Sequence, residues 1–460
     1  MAQSKDRLEI GPVAFLVAGL MFMEFLDGSI LPTAAPTIAR SFHVLSAQIG
    51  ICVTTYMVTI VVLIPLSAWL AEKYGVRKVL FASIAIFVLG SLLCAVSNNL
   101  FILTSMRIVQ GVGAATMVPV GRLILMRSVD KAQVIRVISY SVWPALAAPV
   151  VAPVLGGLII GHASWRWIFI INLPIGAIAL LIGWKIVPHI EGGKVLALDW
   201  FGFYGSSLSL GLLVFGAANL GTPHINFIVT LALLMAGLAI GWPTIRHLRS
   251  VHQPLIDLSV LKIETFRLNN VSGLLFRVAQ NTAPFVLPLL FQDKFGWSAE
   301  RAGETLFFYM FGNLIFKGFT TPLMKKFRFK PLILLCTFAS IPLTISLGLL
   351  HSSIPYTWLA LLLFIAGGIR SLGMTLYNTI TYADIDQEIM SHANTLANMT
   401  QQLASVIAVA LAVVAINAGR VWFGVSSQFG ITFYVAAGAL VISLPHVISL
   451  PRSAGDSLRN

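Results

Sequence analysis

Acidic and basic side chains inside long apolar stretches are the residues of this sequence best suited to chemistry. Glu24 and Asp27 lie three residues apart in one such stretch, so on a helix they share a face. Arg107 lies in another stretch, at a similar depth when helical rise is counted from the ends. In a low dielectric the pKa of a carboxyl group rises, and a nearby guanidinium lowers it, so a pair whose separation changes takes up and releases a proton.

This pattern predicts a proton-coupling group of Asp27, Arg107 and Glu24. The alternative is a static polar network that holds two helices together, and Glu24 has the further alternatives of reaching an interface or remaining neutral. Ionisable residues at membrane depth are costly and are functional by default, which favours proton coupling for Asp27 and Arg107.

A second set of polar residues at membrane depth consists of cations. Arg277, Arg370 and Lys317 lie inside apolar stretches of the second half of the chain, where we find no mid-stretch Asp or Glu. With Gln110 they are the predicted substrate-cavity residues. If two of these cations face the cavity, we expect neutral, zwitterionic or carboxylate-bearing substrates. The alternative is that each cation bonds to helix carbonyls or, for Lys317, reaches the interface.

The composition shows that the helices carrying these side chains lie in a lipid bilayer rather than in water. The chain has 460 residues, of which 57% are hydrophobic and 10% charged, with a mean hydropathy of +0.89. A soluble domain carries about 25% charged residues, so a bilayer must be part of the solvent. The three cysteines read as buried thiols, and no Cys/His cluster has zinc spacing. We see no phosphate-binding glycine loop or nucleophile elbow, and therefore predict no enzyme, no metal and no cofactor.

Apolar stretches long enough to cross a bilayer divide the chain into three parts. Each needs about 20 residues, and fourteen are predicted, near 12–33, 48–70, 79–97, 101–123, 135–160, 166–187, 199–219, 224–245, 270–291, 302–324, 331–350, 356–381, 394–418 and 429–450. We expect an all-α membrane protein with six-helix bundles in 1–190 and 251–460 and two inserted helices in 191–250. The first stretch is too long for a signal-peptide core and is expected to remain as the first span.

The distribution of basic residues predicts the orientation. Of the 30 Lys and Arg residues, 21 fall on the side of the N-terminus, five on the other side and four inside stretches. The net charge of +13 therefore reflects the positive-inside bias rather than nucleic-acid binding, and both termini are expected in the cytoplasm. One loop departs from the rule, because 382–393 carries Asp384, Asp386 and Glu388 and no Lys or Arg.

Prolines and small residues concentrate in the fifth stretch, from Trp143 to Gly157. Prolines remove backbone donors and kink a helix, and small residues allow close packing. Pro149, Pro153, Gly156 and Gly157 therefore predict a helix pivot between the two halves. The alternative is packing alone.

Several segments together resemble the fourteen-span drug/proton antiporters of the major facilitator superfamily, of the EmrB/QacA type and its MdtD-like branch. The segments are 22–36 with its acidic Asp27, the loop 70–78, the run 107–114, and Trp165–Phe169 with Asn172 and 174–176. The resemblance covers nearly the whole chain. It implies that Arg107 takes part in proton transfer, and that two six-helix bundles enclose a cavity that opens alternately to each side.

The sequence departs from the family pattern at two places. In the gating-loop motif, Ala68 stands where glycine is usual and Glu72 where aspartate is usual, while Gly75, Arg77 and Lys78 match. In the fifth stretch, Ala-Pro pairs at 148–149 and 152–153 replace Gly-Pro pairs. The resemblance thus implies a gating loop at Glu72, Gly75, Arg77 and Lys78.

The expected function is proton-driven export of small amphiphilic molecules or drugs by antiport, in the bacterial inner membrane. Small-molecule substrate, protons and the lipid bilayer are the expected partners of a chain that works as a monomer and binds no nucleic acid. An exporter of an anionic metabolite or metal chelate is the first alternative, and a non-transporting receptor or scaffold is the second. A receptor has no need of the coupling groups Asp27 and Arg107.

Overall fold

The fold is helical throughout the described part of the chain. A computed structural model describes residues 10–128, 131–187, 192, 198–219, 227–251, 258–385, 390–424, 427–451 and 454–455; within its helices, the side chains at 10, 11, 68, 125–128, 131–146, 217, 218, 321, 390–392 and 395 are outside this description. The charged residues Lys5, Arg7, Lys194, Asp386, Glu388, Arg452 and Arg459 lie outside the described residues, as do the side chains of Trp143 and Pro144 in the predicted pivot.

The helices are α1 Ile10–Phe42, α2 Gly50–Tyr74, α3 Val76–Ala95, α4 Leu100–Ser128, α5 Lys131–His162, α6 Trp167–Ile170, α7 Asn172–Ile186, α8 Trp200–Asn219, α9 Phe227–Ser250, α10 Glu264–Leu289, α11 Ala299–Lys326, α12 Phe329–Gly348, α13 Tyr356–Ile380, α14 Met390–Phe423 and α15 Gln428–Ser449. Helices satisfy their own backbone groups, which is what a bilayer demands. Every predicted stretch overlaps a helix or, at 166–187, the pair α6 and α7.

Eleven helices of the described residues are long and apolar enough to cross a membrane, and two shorter apolar helical stretches lie at 147–162 and 200–216. Predicted ends were wrong at several helices. The first stretch was predicted to end at 33, yet α1 continues to Phe42, where Arg40 donates to the hydroxyl of Thr37. Hydropathy indicates which residues contact lipid. A helix, in contrast, extends as far as its backbone hydrogen bonds continue, which can be beyond the apolar stretch.

Two chain breaks determine how helices enter the bundle. Gly75 alone separates α2 from α3, and its φ of 88° is in the region that favours glycine. Ile171 separates α6 from α7, and Pro174 lies in the first turn of α7, where its missing N–H costs no helical bond. We call the helix ends near Gly75 the Gly75 face and the opposite ends, near Trp165, the Trp165 face.

Two bundles form, and they are joined at one face. Helices α1–α7 pack together as the first bundle and α10–α15 as the second. One apolar core at the Trp165 face contains side chains of both, such as Leu31, Phe169, Phe291 and Tyr309. At the Gly75 face each bundle has its own core, one built from residues 13–187 and the other from residues 276–454. The bundles are therefore sealed together at the Trp165 face.

The inserted helices α8 and α9 pack mainly on each other and then touch both bundles. Val214 of α8 forms a small cluster with Val58 of α2 and Val406 of α14. At the Gly75 face His247 of α9 lies 2.7 Å from the Asp199 carboxylate, between Nε2 and Oδ1. The pair thus covers the side on which α2 and α14 meet.

A close backbone approach between the bundles joins α5 to α11. A Cβ atom at Gly157 would lie 2.7 Å from the Ala299 carbonyl oxygen and 2.9 Å from Glu300 Cα, and one at Gly303 would overlap the Pro153 carbonyl. Gly156 faces α1 instead, where its Cβ would meet Ile30. The predicted pivot segment therefore lies between α1 and α11, and α5 remains helical through both described prolines.

This contact predicts a stability difference between two neighbouring glycines. Gly157→Ala should lower the midpoint of thermal unfolding of the purified protein, since overpacking against backbone costs about 1–3 kcal/mol. Gly161→Ala is the matched control, because its Cβ would meet only Glu300 side-chain atoms at 3.7 and 3.9 Å. Equal midpoints for both variants and the wild type would show that the two helices are not in tight contact.

Candidate functional site

A buried ion pair joins α1 to α4 at the centre of the first bundle. Arg107 Nη1 donates to Asp27 Oδ2 at 2.6 Å, and each side chain is 1% exposed. The structure thus brings together the two residues on which the predicted coupling group depends. A charge at this depth is tolerated because the opposite charge compensates it and further hydrogen bonds support both groups.

Two amide side chains form further hydrogen bonds with this ion pair. Gln110, one turn from Arg107, accepts from Arg107 Nη1 at 2.6 Å and donates to Asp27 Oδ1 at 2.8 Å. Asn172, at the start of α7, donates to the same Oδ1 at 2.9 Å. Both amides also donate to Ser91 Oγ of α3, at 2.7 and 3.3 Å. Three neutral side chains therefore orient one carboxylate and one guanidinium.

Gln110 was predicted to line the substrate cavity, and the structure places it elsewhere. Its side chain is 0% exposed, and a Cβ at Gly90 of α3 would lie 2.6 Å from its Cα. The amide is used by Asp27, Arg107 and Ser91, so Gln110 is a member of the ion-pair network. We call Asp27, Ser91, Arg107, Gln110 and Asn172 the coupling cluster.

An aromatic side chain covers the open face of the guanidinium. Arg107 Cζ lies 3.8 Å from the centroid of the Tyr56 ring of α2 and 5.9 Å from that of Phe169. The Tyr56 hydroxyl and Arg107 Nε are buried and have no hydrogen-bond partner among the described residues. Sequence reasoning missed Tyr56 and Ser91; the signal that could have found them is that both are polar groups in otherwise apolar helices.

Glu24 lies beside the coupling cluster but outside its hydrogen bonds. It is partly exposed and lies one turn from Asp27 toward the Gly75 face. Its Oε2 is buried and finds no hydrogen-bond partner in the described part of the chain. Its carboxyl group interacts electrostatically with Arg122 of α4 and with Asp27. The two acids therefore have different surroundings, one fully paired and one not.

The two arginines predicted to line the cavity, Arg277 and Arg370, have neutral hydrogen-bond partners. Arg277 Nη2 donates to Asn378 Oδ1 at 2.7 Å, and Arg370 Nη2 donates to Asn281 Oδ1 at 3.1 Å. Arg277 is 3% exposed, Arg370 is half-buried and Lys317 is exposed. The partners of the two arginines are side-chain amides rather than the helix carbonyls of the alternative considered above. Among the described residues no carboxylate forms a salt bridge with any of the three.

The residues of the predicted gating loop lie on the Gly75 face. Arg77 Nη2 donates to the Trp184 carbonyl at 2.7 Å, and its guanidinium lies 5.1 Å from the Trp184 ring centroid, which ties α3 to α7. Glu72 and Lys78 are exposed, and Gly75 is buried. In this structure Arg77 therefore binds within the first bundle.

Comparison with known proteins shows the family of this chain. Residues 17–409 match the sequence pattern of the Major Facilitator Superfamily. The protein belongs to this superfamily. Its sequence is MdtD-like: it is 32% identical over 463 residues to the candidate multidrug resistance protein MdtD of Salmonella paratyphi A, covering 97% of this chain and 95% of that one. The probable transport protein HsrA of Haemophilus influenzae is 30% identical over 451 residues, covering 97% of both chains.

Solved structures show the same fold at low sequence identity. The nucleoside transporter NupG superposes with a TM-score of 0.67 at 13% identity, covering 95% of this chain and 98% of that one. The D-xylose-proton symporter gives a TM-score of 0.69 at 14% identity, covering 97% and 99%. Together with the family match, this fold makes the protein a multi-pass transporter of the cell membrane, not an enzyme.

The contact of Tyr56 with Arg107 predicts a difference between two substitutions. Tyr56→Phe keeps the ring and removes only an unpaired hydroxyl, so stability and transport should be retained. Tyr56→Leu removes the aromatic face and should destabilise the protein by about 2 kcal/mol, the scale of a desolvated cation–π contact. Thermal unfolding in detergent measures both. A Phe variant as unstable as the Leu variant would show that the hydroxyl matters instead.

Proposed function

We propose that this transporter exports small amphiphilic molecules, drugs among them, in exchange for protons, by alternating access. The observation that carries the proposal is the coupling cluster, in which a buried carboxylate has a guanidinium as its counter-ion. The names of the relatives MdtD and HsrA support the substrate class and the transport activity. The proposed location is a bacterial inner membrane. The proposed functional unit is a monomer, because one chain contains both bundles.

Fourteen spans with both termini in the cytoplasm are part of the proposal. The eleven helices that qualify by length and composition are joined by α5, α8 and α11, which overlap predicted spans. The proposed domains are the first bundle in 1–190, the inserted pair in 191–250 and the second bundle in 251–460. In this orientation the Gly75 face is cytoplasmic, and the sealed Trp165 face is outside, so the structure corresponds to an inward-facing state.

Protonation of Asp27 is the proposed switch. With the carboxylate charged, Arg107 is held on α1 and the two charges neutralise each other in a low dielectric. A proton on Asp27 removes the negative charge and leaves Arg107 with Gln110 and the Tyr56 ring. The attraction between α1 and α4 then weakens, and the two helices are free to move relative to each other.

Helix α1 transmits this change to the contact between the bundles. It carries Asp27, and six residues further along it the carbonyl of Thr33 accepts a hydrogen bond from Gln292 of the second bundle at 2.8 Å. Ile30 of the same helix packs on Gly156 of α5, which itself contacts α11. A shift of α1 at Asp27 therefore changes the position of Thr33 and Ile30, which take part in these two contacts at the Trp165 face.

An anionic metabolite or metal chelate is the alternative substrate class, and it is favoured by the second-bundle arginines, whose described partners are neutral amides. A receptor or scaffold is the alternative of another class. Proton release that depends on substrate, measured in proteoliposomes with an enclosed pH dye, separates either transporter from a receptor.

The role of Asp27 predicts the behaviour of a nearly isosteric variant. Asp27→Asn should fold and insert, since it retains the side-chain shape and the bond with Arg107. It should lose uphill export driven by a pH gradient, because the side chain no longer titrates, while substrate exchange without a gradient persists. Both rates are measured in proteoliposomes. Glu304→Gln, at an exposed carboxylate near the Trp165 face, is the matched control and should behave as wild type. Uphill export by Asp27→Asn at the wild-type rate would refute the proposal.

The role of Arg107 predicts that charge alone is insufficient. Arg107→Lys keeps the charge but lacks the planar fork that binds Asp27 and Gln110 together, so uphill transport should fall at least about tenfold. Arg107→Ala should also unfold more readily, by about 3–5 kcal/mol, because it leaves a buried carboxylate unpaired. The pH profile of transport and thermal unfolding test both statements. An unchanged pH profile in both variants would exclude the pair as the switch.

A further inference from the structure

Two cations of the second bundle lie at the same depth on neighbouring helices. Helices α11 and α13 run in the same direction and pack closely. Counted from the Gly75-face ends of these helices, Lys317 is ~14 Å and Arg370 ~15 Å into the bundle. That is near the middle of a hydrocarbon layer about 30 Å thick, too deep for a lipid headgroup. A Cβ atom at Gly368 of α13 would lie 2.6 Å from the ring of Phe316, the neighbour of Lys317 on α11, so the two helices touch at this depth.

In the described part of the chain, neither cation forms a salt bridge, and the hydrogen-bond partner of Arg370 is neutral. Arg370 has an amide contact, to Asn281, and its Nε is buried without a partner. Asn281 in turn donates to Ser405 of α14 at 3.0 Å, which fixes the amide oxygen toward Arg370. Arg277, one turn from Asn281 on α10, also has an Nε for which the described residues provide no partner. Like charges in a low dielectric repel strongly, so this arrangement favours the binding of an anion.

Neither cation is enclosed by protein. The Lys317 side chain is exposed and that of Arg370 is half-buried. An Arg side chain offers a planar fork that binds a carboxylate through two hydrogen bonds, and Lys adds a compact charge beside it. The chemistry of the site therefore fits one carboxylate or a similar monoanion attached to an apolar body.

We propose that Arg370 and Lys317, with Asn281 positioned by Ser405, form an anion-binding subsite of the transport path, and that the preferred substrates carry a carboxylate. Arg277 adds to the positive potential from one turn away. A lipophilic monovalent cation is repelled from this side of the cavity. The inference rests on the proposed function only in placing the subsite on the route of the exported molecule.

Binding of three probes with one fluorophore tests the proposal. Dansylglycine is an anion, dansylamide is neutral and dansylcadaverine is a cation, and each is titrated against the purified full-length protein without a pH gradient. The wild type should bind dansylglycine at least about tenfold more tightly than dansylcadaverine. Arg370→Gln and Lys317→Gln should each remove most of that preference while leaving dansylamide affinity within about twofold.

Two controls keep the test decisive. Lys325→Gln removes an exposed cation at the end of α11 and should leave all three affinities unchanged. Arg370→Lys keeps the charge and should retain part of the preference for the anion. A variant that merely fails to fold is recognised because it loses dansylamide binding as well. The same measurement on Asp27→Asn separates the two proposals, because anion preference needs no proton coupling.

Tighter binding of dansylcadaverine than of dansylglycine would overturn the proposal. So would equal effects of Arg370→Gln on all three probes, since this would show that Arg370 supports packing rather than an anion. Preference for dansylglycine that survives in the double variant Arg370→Gln/Lys317→Gln would assign the anion to another site.

Discussion

The buried ion pair between Asp27 and Arg107 is the interaction on which the rest of the first bundle depends. Removing two charges from water costs several kcal/mol per ion, and only close geometry with further hydrogen bonds offsets that cost. Gln110 of α4 and Asn172 of α7 therefore bond to the pair between α1 and α4, and Ser91 of α3 accepts hydrogen bonds from both amides. The break between α6 and α7 is part of this arrangement, because α7 begins at Asn172.

The two bundles have opposite electrostatic designs. The first contains both signs of charge and compensates them internally, whereas the described part of the second has arginines whose partners are amides. In our proposal, proton binding and substrate binding belong to different halves, which communicate where the halves touch. Helix α1 connects the two halves, because it carries Asp27 and its Thr33 carbonyl accepts a hydrogen bond from Gln292 of the second bundle.

Much of the fold was predictable because hydropathy records contact with lipid. It located each helix, but not the end of α1 at Phe42, which lies beyond the apolar stretch. Depth counting also put Asp27 level with Arg107, since helical rise is constant. The remaining partners depend on helix rotation and on which helices are neighbours, which single-helix patterns do not contain. For that reason Gln110 was assigned to the cavity, Tyr56 was missed, and the amides beside Arg277 and Arg370 were not foreseen.

Difference infrared spectroscopy of a pH titration tests the central claim most directly, since a protonated carboxyl group has a C=O stretch that a carboxylate lacks. The wild type in lipid should gain a carboxyl band on acidification that is missing from Asp27→Asn and displaced in pH in Arg107→Gln. Glu24→Gln serves to remove the band of the neighbouring acid. If the spectrum of Asp27→Asn retained every carboxyl band of the wild type, Asp27 would not be the group that takes up the proton.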